Sequence, residues 1–158
     1  MKKTIYLLAF ALVLLTSCDS QRECCTVVET SLSMKISNGQ GLDLLDQNSP
    51  TPIEEQQIKA YKIVEGTQEF VKDSYKLFHI YQVESEDFYR LSFLGSGFDT
   101  GNFEYLIELN QASSFRIELH SKVNSTGNIY YLDEVYYQGE LMYKQSSGAE
   151  PFIELVLD

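Results

Sequence analysis

The residues in this 158-residue chain whose types could do chemistry are two histidines, a few acidic and glycine clusters, and a run of paired tyrosines. His79 and His120 are the only imidazoles, and a catalytic imidazole needs a nucleophile and an orienting acid within hydrogen-bond reach. Each falls in a strand-like stretch without a cysteine or carboxylate at ligand spacing. His79 shares a parity with Tyr75, Leu77 and Tyr81, which reads as a hydrogen-bonded structural imidazole. Glu84, Glu86 and Asp87 offer hard oxygens for Ca²⁺, but their spacing matches no calcium loop, so a solvated turn is expected. Gly95, Gly97 and Gly101 lack the Lys-Ser/Thr and the helix of a phosphate loop and predict a strand connection. No G-x-S-x-G, H-E-x-x-H or EF-hand series occurs. No catalytic set, metal site or cofactor is therefore assigned. The suggestive excess is tyrosine: Tyr130, Tyr131, Tyr136 and Tyr137 fall on one predicted strand, so two of them must face away from the core. Exposed flat rings bind sugar faces or proteins because they bury area with little loss of side-chain entropy.

Cysteine is the other reactive side chain. Cys24 and Cys25 are neighbours, with Cα atoms about 3.8 Å apart across one peptide. That is closer than an unstrained disulfide takes, and neither can cross-link distant parts of the fold, so the pair is expected to be idle or mutually oxidised, with an intermolecular bridge near the membrane as the functional alternative. Cys18 stands in a different setting. Lys2 and Lys3 precede an unbroken apolar run, Ile5 to Leu15, which ends in Leu15-Thr16-Ser17-Cys18. This arrangement resembles the signal peptide and lipobox of bacterial lipoproteins. The resemblance implies a diacylglyceryl group on the Cys18 sulfur, removal of residues 1–17 and a further acyl chain on the freed amine. The apolar run itself is too short to span a bilayer. An ordinary secretory signal is the alternative, but no A-x-A-like site competes with Ser17-Cys18.

Two or three acyl chains on one residue make attachment to a bilayer effectively permanent, where a single chain gives only marginal binding. Residues 18–25 then form the lipidated end and a tether, and residues 26–158 a single water-facing domain, long enough to fold without staples. The whole chain carries 12 basic and 23 acidic residues, a net charge of −11, and loss of Lys2 and Lys3 makes it two units more negative. Such a surface repels nucleic acid and anionic headgroups, which excludes both as expected partners.

The elements that must position these side chains are short and of period two. Thr26–Ile36 alternates as a first strand, Asn38-Gly39 turns, and Leu42 and Leu44 begin a second. Thr51, Pro52 and Glu54 read as N-cap, N1 and N3 of a capping box, predicting one short helix over residues 52–57. Strands are expected at Lys59–Glu65 and Glu69–Lys72. Tyr75–Val83 is apolar on both parities and predicts a central strand covered on both faces. Phe88–Leu94, Phe103–Leu109 and the stretch around Phe115, Ile117 and Leu119 follow, the last with Arg116, Glu118 and His120 pointing out. Ile129–Tyr137 and Glu140–Tyr143 form a hairpin through Gln138-Gly139, and Phe152–Leu157 closes the chain. Nine or ten short strands with turns every 8 to 12 residues or so predict an all-β antiparallel sandwich.

Gly41-Leu42-Asp43-Leu44-Leu45-Asp46 and the late Val135-Tyr136-Tyr137-Gln138-Gly139-Glu140-Leu141-Met142-Tyr143 are similar to segments of small lipoproteins of Bacteroidota. That resemblance implies an immunoglobulin- or transthyretin-like sandwich on the cell envelope, at the outer membrane. The acidic tag of surface-displayed members is interrupted here, with Ser20, Gln21 and Arg22 between Asp19 and Glu23, so either face of the membrane fits. The expected function is a membrane-anchored, non-enzymatic binding or accessory module. Its partner would be a glycan or an envelope protein, with Tyr130, Tyr131, Tyr136 and Tyr137 as the contact surface. Two alternatives make structural demands: a small envelope hydrolase requires a nucleophile and an acid beside His79 or His120, and a lipocalin-like carrier requires a closed, hollow barrel.

Overall fold

The computed structural model describes residues 27–29, 31–94, 100–127, 129–145 and 150–157. Cys18, Cys24, Cys25, the apolar leader and the glycine-rich connection at residues 95–99 lie outside these. The described residues form eleven strands: β1 (Val27–Glu29), β2 (Ser31–Asn38), β3 (Lys59–Val64), β4 (Thr67–Phe70), β5 (Phe78–Gln82), β6 (Tyr89–Leu94), β7 (Gly101–Glu108), β8 (Ser114–Val123), β9 (Ile129–Tyr137), β10 (Glu140–Lys144) and β11 (Phe152–Leu157).

The strands make two sheets. Seven lie in one, ordered β1-β9-β8-β7-β3-β4 with β10 also on β9, and four in the other, ordered β11-β2-β6-β5. Alternation decides which side of each strand is dry. Leu32, Met34 and Ile36 of β2, Leu91 and Phe93 of β6, and Ile153, Leu155 and Leu157 of β11 are buried. They share one core with Ala60, Tyr105, Ile107, Phe115, Ile117, Leu119, Leu132 and Val135 of the larger sheet. The Phe93 ring joins the two layers: it stacks on Phe78 at 4.9 Å and meets Tyr105 edge-on at 5.3 Å. Each such side chain, once buried, contributes about 1.5–3 kcal/mol. The all-β sandwich expected from the strand spacing is the architecture found. Among the described residues the sheets do not close, and side chains fill the space between them, so the closed hollow barrel of the carrier alternative is not formed.

Two hairpins turn through tight two-residue loops. Glu65-Gly66 (φ 50° and 79°) and Gln138-Gly139 (φ 51° and 80°) both adopt the left-handed pairs that match the twist of the flanking strands.

Several local expectations give way to tertiary structure. The first strand is two, β1 in the large sheet and β2 in the small one, because the chain changes sheets near Glu29. Two pairings are parallel, β1 with β9 and β11 with β2, in a fold otherwise antiparallel. Leu42 and Leu44 form no strand: only Ser37 and Asp43 make a bridge there. Two backbone bonds flank that bridge, Asn38 N–H to the Leu42 carbonyl and Leu44 N–H to the Ile36 carbonyl, and side chains fix the rest: Asn38 accepts from the N–H groups of Gln40 and Leu42, and Asp43 from those of Leu45 and Tyr89. Residues 75–83 are no covered central strand. Ser74–Leu77 is a 3-10 turn and β5 is the edge of the smaller sheet, with His79 exposed.

The helix expected over 52–57 shrinks to a 3-10 turn, Glu55–Gln57, with no side-chain cap. Ile53 and Ile58 are both buried, which anchors each end of the segment in the core. Glu55 bonds across to β5 instead of stabilising a helix of its own.

Candidate functional site

The tyrosine-bearing strand β9 contains a bulge that decides which rings face water. Leu132 pairs with Ser121 and Glu134 with His120, so Asp133 is an extra residue between them. Leu132 and Val135 are three positions apart, yet both are buried. A regular strand would send them to opposite faces, and one inserted residue returns both to the same side. Tyr130 then shares the inner parity with Leu132, and Tyr137 packs partly buried against the core. Tyr131 and Tyr136 take the outer parity. The structure therefore brings two of the four tyrosines to the water-facing side and places the other two along the core side.

The bulge also puts two successive carboxylates on the outer face. Asp133 takes Lys122 at 2.6 Å, and its carbonyl accepts the Gln145 N–H at 2.7 Å. Glu134, 17% exposed, is the hub of a denser network. Lys144 Nζ donates to it at 2.7 Å and the Tyr136 hydroxyl at 2.8 Å. His120 Nδ1 lies 3.3 Å away, and His120 Nε2 lies 2.7 Å from Glu118. The His120 and Tyr136 rings are 4.9 Å apart. The hydrogen bonds from Lys144 and then Tyr136 hold the Glu134 carboxyl down at about 2. In return Glu134 raises the Lys144 ammonium and the Tyr136 phenol above their ordinary values.

A shallow groove of about 190 Å³ opens beside Tyr136, between Glu104, Arg116, Glu118 and Gln138. Arg116 bridges Glu104 at 3.5 Å across β7 and β8. Most charges on this face thus have partners of opposite sign. What the face offers a ligand is ring area at Tyr131 and Tyr136 and a rim of paired polar groups.

The other candidates lie elsewhere. His79 is 68% exposed at the edge of the smaller sheet, 2.9 Å from Glu55 and parallel to Tyr81 at 5.8 Å. The two histidines belong to different sheets, and their neighbours are carboxylates and tyrosine rings. Glu86 does not simply meet solvent, as expected of its turn, but holds Arg90 through both carboxylate oxygens. The Arg90 guanidinium lies over Phe152 at 4.5 Å, and Lys35 lies over Phe88 at the same distance.

Sequence reasoning passed over Asp133, Glu134 and Lys144, and it placed no carboxylate beside His120. A signal was present for the bulge and for the histidine's neighbour, and none for Lys144. An apolar spacing of three within a strand requires a bulge, and Glu118 stands two positions from His120, on the same face.

The fold and this face define a two-sheet, all-β protein that presents a polar, tyrosine-bearing sheet surface to water. Comparisons with protein-family models, curated proteins and solved structures found no match for the chain.

Proposed function

We propose that the chain is a lipid-anchored protein of the bacterial cell envelope, acting as a non-enzymatic binding or accessory module for a glycan or another envelope protein. The observation that carries this is the sequence Leu15-Thr16-Ser17-Cys18 at the end of an apolar leader. Acylation of Cys18 would fix the domain at residues 26–158 to the outer membrane, and the outer face of the seven-stranded sheet would meet the partner. The outward parity of Tyr131 and Tyr136 supports that choice of face.

Labelling of the full chain with an alkyne fatty acid in a Gram-negative host tests the anchor. Intact mass should show loss of residues 1–17 and added acyl chains, and Cys18→Ser should remove both the label and the membrane fraction. An unlabelled parent, or a Cys18→Ser variant that still fractionates with membranes, overturns the reading.

A further inference from the structure

Away from Tyr131 and Tyr136, a cleft of about 570 Å³ opens where β3 and β7 meet the β7–β8 turn. Its walls are Gln57, Lys59, Glu108, Asn110, Gln111 and Ala112. Lys59 and Glu108 are cross-strand partners, on the parity opposite buried Ala60 and Ile107, with Nζ and Oε2 4.0 Å apart. Asn110 accepts from the N–H groups of Ala112 and Ser113 at 2.8 Å each, which fixes the loop that closes one side. The exposed side-chain amides of Gln57 and Gln111 have no hydrogen-bond partner among the described residues.

An aromatic ledge adjoins this wall. Tyr61 shares the parity of Lys59, and its hydroxyl donates to Glu108 at 3.4 Å. Its ring tilts against Phe70 at 5.5 Å, and Phe70 is 57% exposed.

We infer that this cleft binds a neutral oligosaccharide, its hydroxyls on Gln57, Lys59, Glu108 and Gln111 and the apolar face of one sugar on the Tyr61–Phe70 ledge. The volume lies within the roughly 300–1,000 Å³ of small-molecule sites. A wholly apolar ligand would cover the side-chain amides of Gln57 and Gln111 without replacing their hydrogen bonds to water, a cost that sugar hydroxyls avoid because each both donates and accepts. A polyanion is disfavoured, since Lys59 already faces Glu108 and the chain carries a net charge of −11. The inference rests on the glycan branch of the function proposed above and assigns it a site other than Tyr131 and Tyr136.

The test is an array of neutral gluco-, manno- and N-acetylglucosamine oligomers probed with the full chain, followed by ¹⁵N titration with the best binder. Saturable shifts are expected at the side-chain amides of Gln57 and Gln111. Glu108→Gln and Gln111→Ala, both at solvent-facing positions that leave the core intact, should weaken binding by about tenfold or more, as should Tyr61→Ala. Val156→Ala, at an exposed position on the smaller sheet, should leave it unchanged. Equal binding by the parent and the Glu108→Gln and Gln111→Ala variants overturns the cleft. Binding that maps to Tyr131 and Tyr136 overturns the cleft while sparing the module reading. An array with no saturable binder overturns the cleft, and with Cys18 acylated it leaves an envelope protein as the partner.

Discussion

One carboxylate oxygen of Glu55 serves two groups on β5: it lies 2.9 Å from His79 Nδ1 and accepts the Ile80 N–H at 2.6 Å. β5 is an edge strand, and its outward N–H groups would otherwise be open to pairing with another chain. Glu55→Ala should therefore destabilise the protein by about 1.5–3 kcal/mol, the range for a hydrogen bond to a charged acceptor. The Ile80 amide should exchange faster with solvent. Glu55→Gln keeps an acceptor and should cost less. Urea unfolding and hydrogen exchange read both effects, and an Ile80 amide that exchanges at the parent's rate in Glu55→Ala would show that the contact protects nothing.

The Glu134 carboxyl, at about 2 against an ordinary 4.5, ties stability to acid. Its folded value lies below its unfolded one, so the stabilisation is complete above about pH 4.5 and is lost as the pH falls toward 2. Glu86, lowered chiefly by its hydrogen bond from Arg90, acts in the same direction. A ¹³C carboxyl titration should place the Glu134 midpoint near 2, and Lys144→Met should move it upward. Glu134→Gln should flatten the acid side of the stability profile. A midpoint at the ordinary carboxylate value would contradict the network.

Strand identity was legible because burial imposes a period of two: Leu32-Met34-Ile36, Tyr105-Ile107 and Phe115-Ile117-Leu119 alternate in sequence and are buried as the alternation requires. Pairing was not legible. The parallel contacts of β1 with β9 and β11 with β2 join segments distant in sequence, and no local pattern encodes them. The helix over 52–57 failed because Glu55, which helix propensity leaves free, is captured by β5. The tyrosine face was half legible. A plain alternation through Ile129–Tyr137 sends two rings outward, but only the bulge shows that they are Tyr131 and Tyr136 and that Glu134 sits beside Tyr136.

Arg90 joins the loop before β6 to the last strand, held through two nitrogens by Glu86 and lying over the Phe152 ring at 4.5 Å. Lysine keeps the charge but has neither the planar fork nor the flat stacking surface. Arg90→Lys should accordingly cost about 1–2 kcal/mol in urea unfolding, combining a weaker ion pair with a lost cation–π contact. Phe152→Leu should cost less in an Arg90→Lys background than in the parent, because both changes remove the same contact. Additive losses would show that the two side chains act independently.

The bulge at Asp133 makes a prediction that runs against the usual intolerance of strands to deletion. With Asp133 removed, Leu132, Glu134, Val135, Tyr136 and Tyr137 alternate without interruption, and Ser121, His120 and Leu119 of β8 keep their present partners. The core contacts of Leu132 and Val135 survive. What goes is the ion pair with Lys122 and the bond from the Gln145 N–H. The deletion should fold, with Tyr131 and Tyr136 still facing water, at a cost of about 1–2 kcal/mol. Leu132→Ala, which opens a cavity at a fully buried site, should cost about 2–5 kcal/mol. Thermal unfolding with amide NMR spectra compares the two. If the deletion is the more damaging, the extra residue is needed to fit β9 to β10 and β1, and the bulge is there for the sheet rather than for the face it presents.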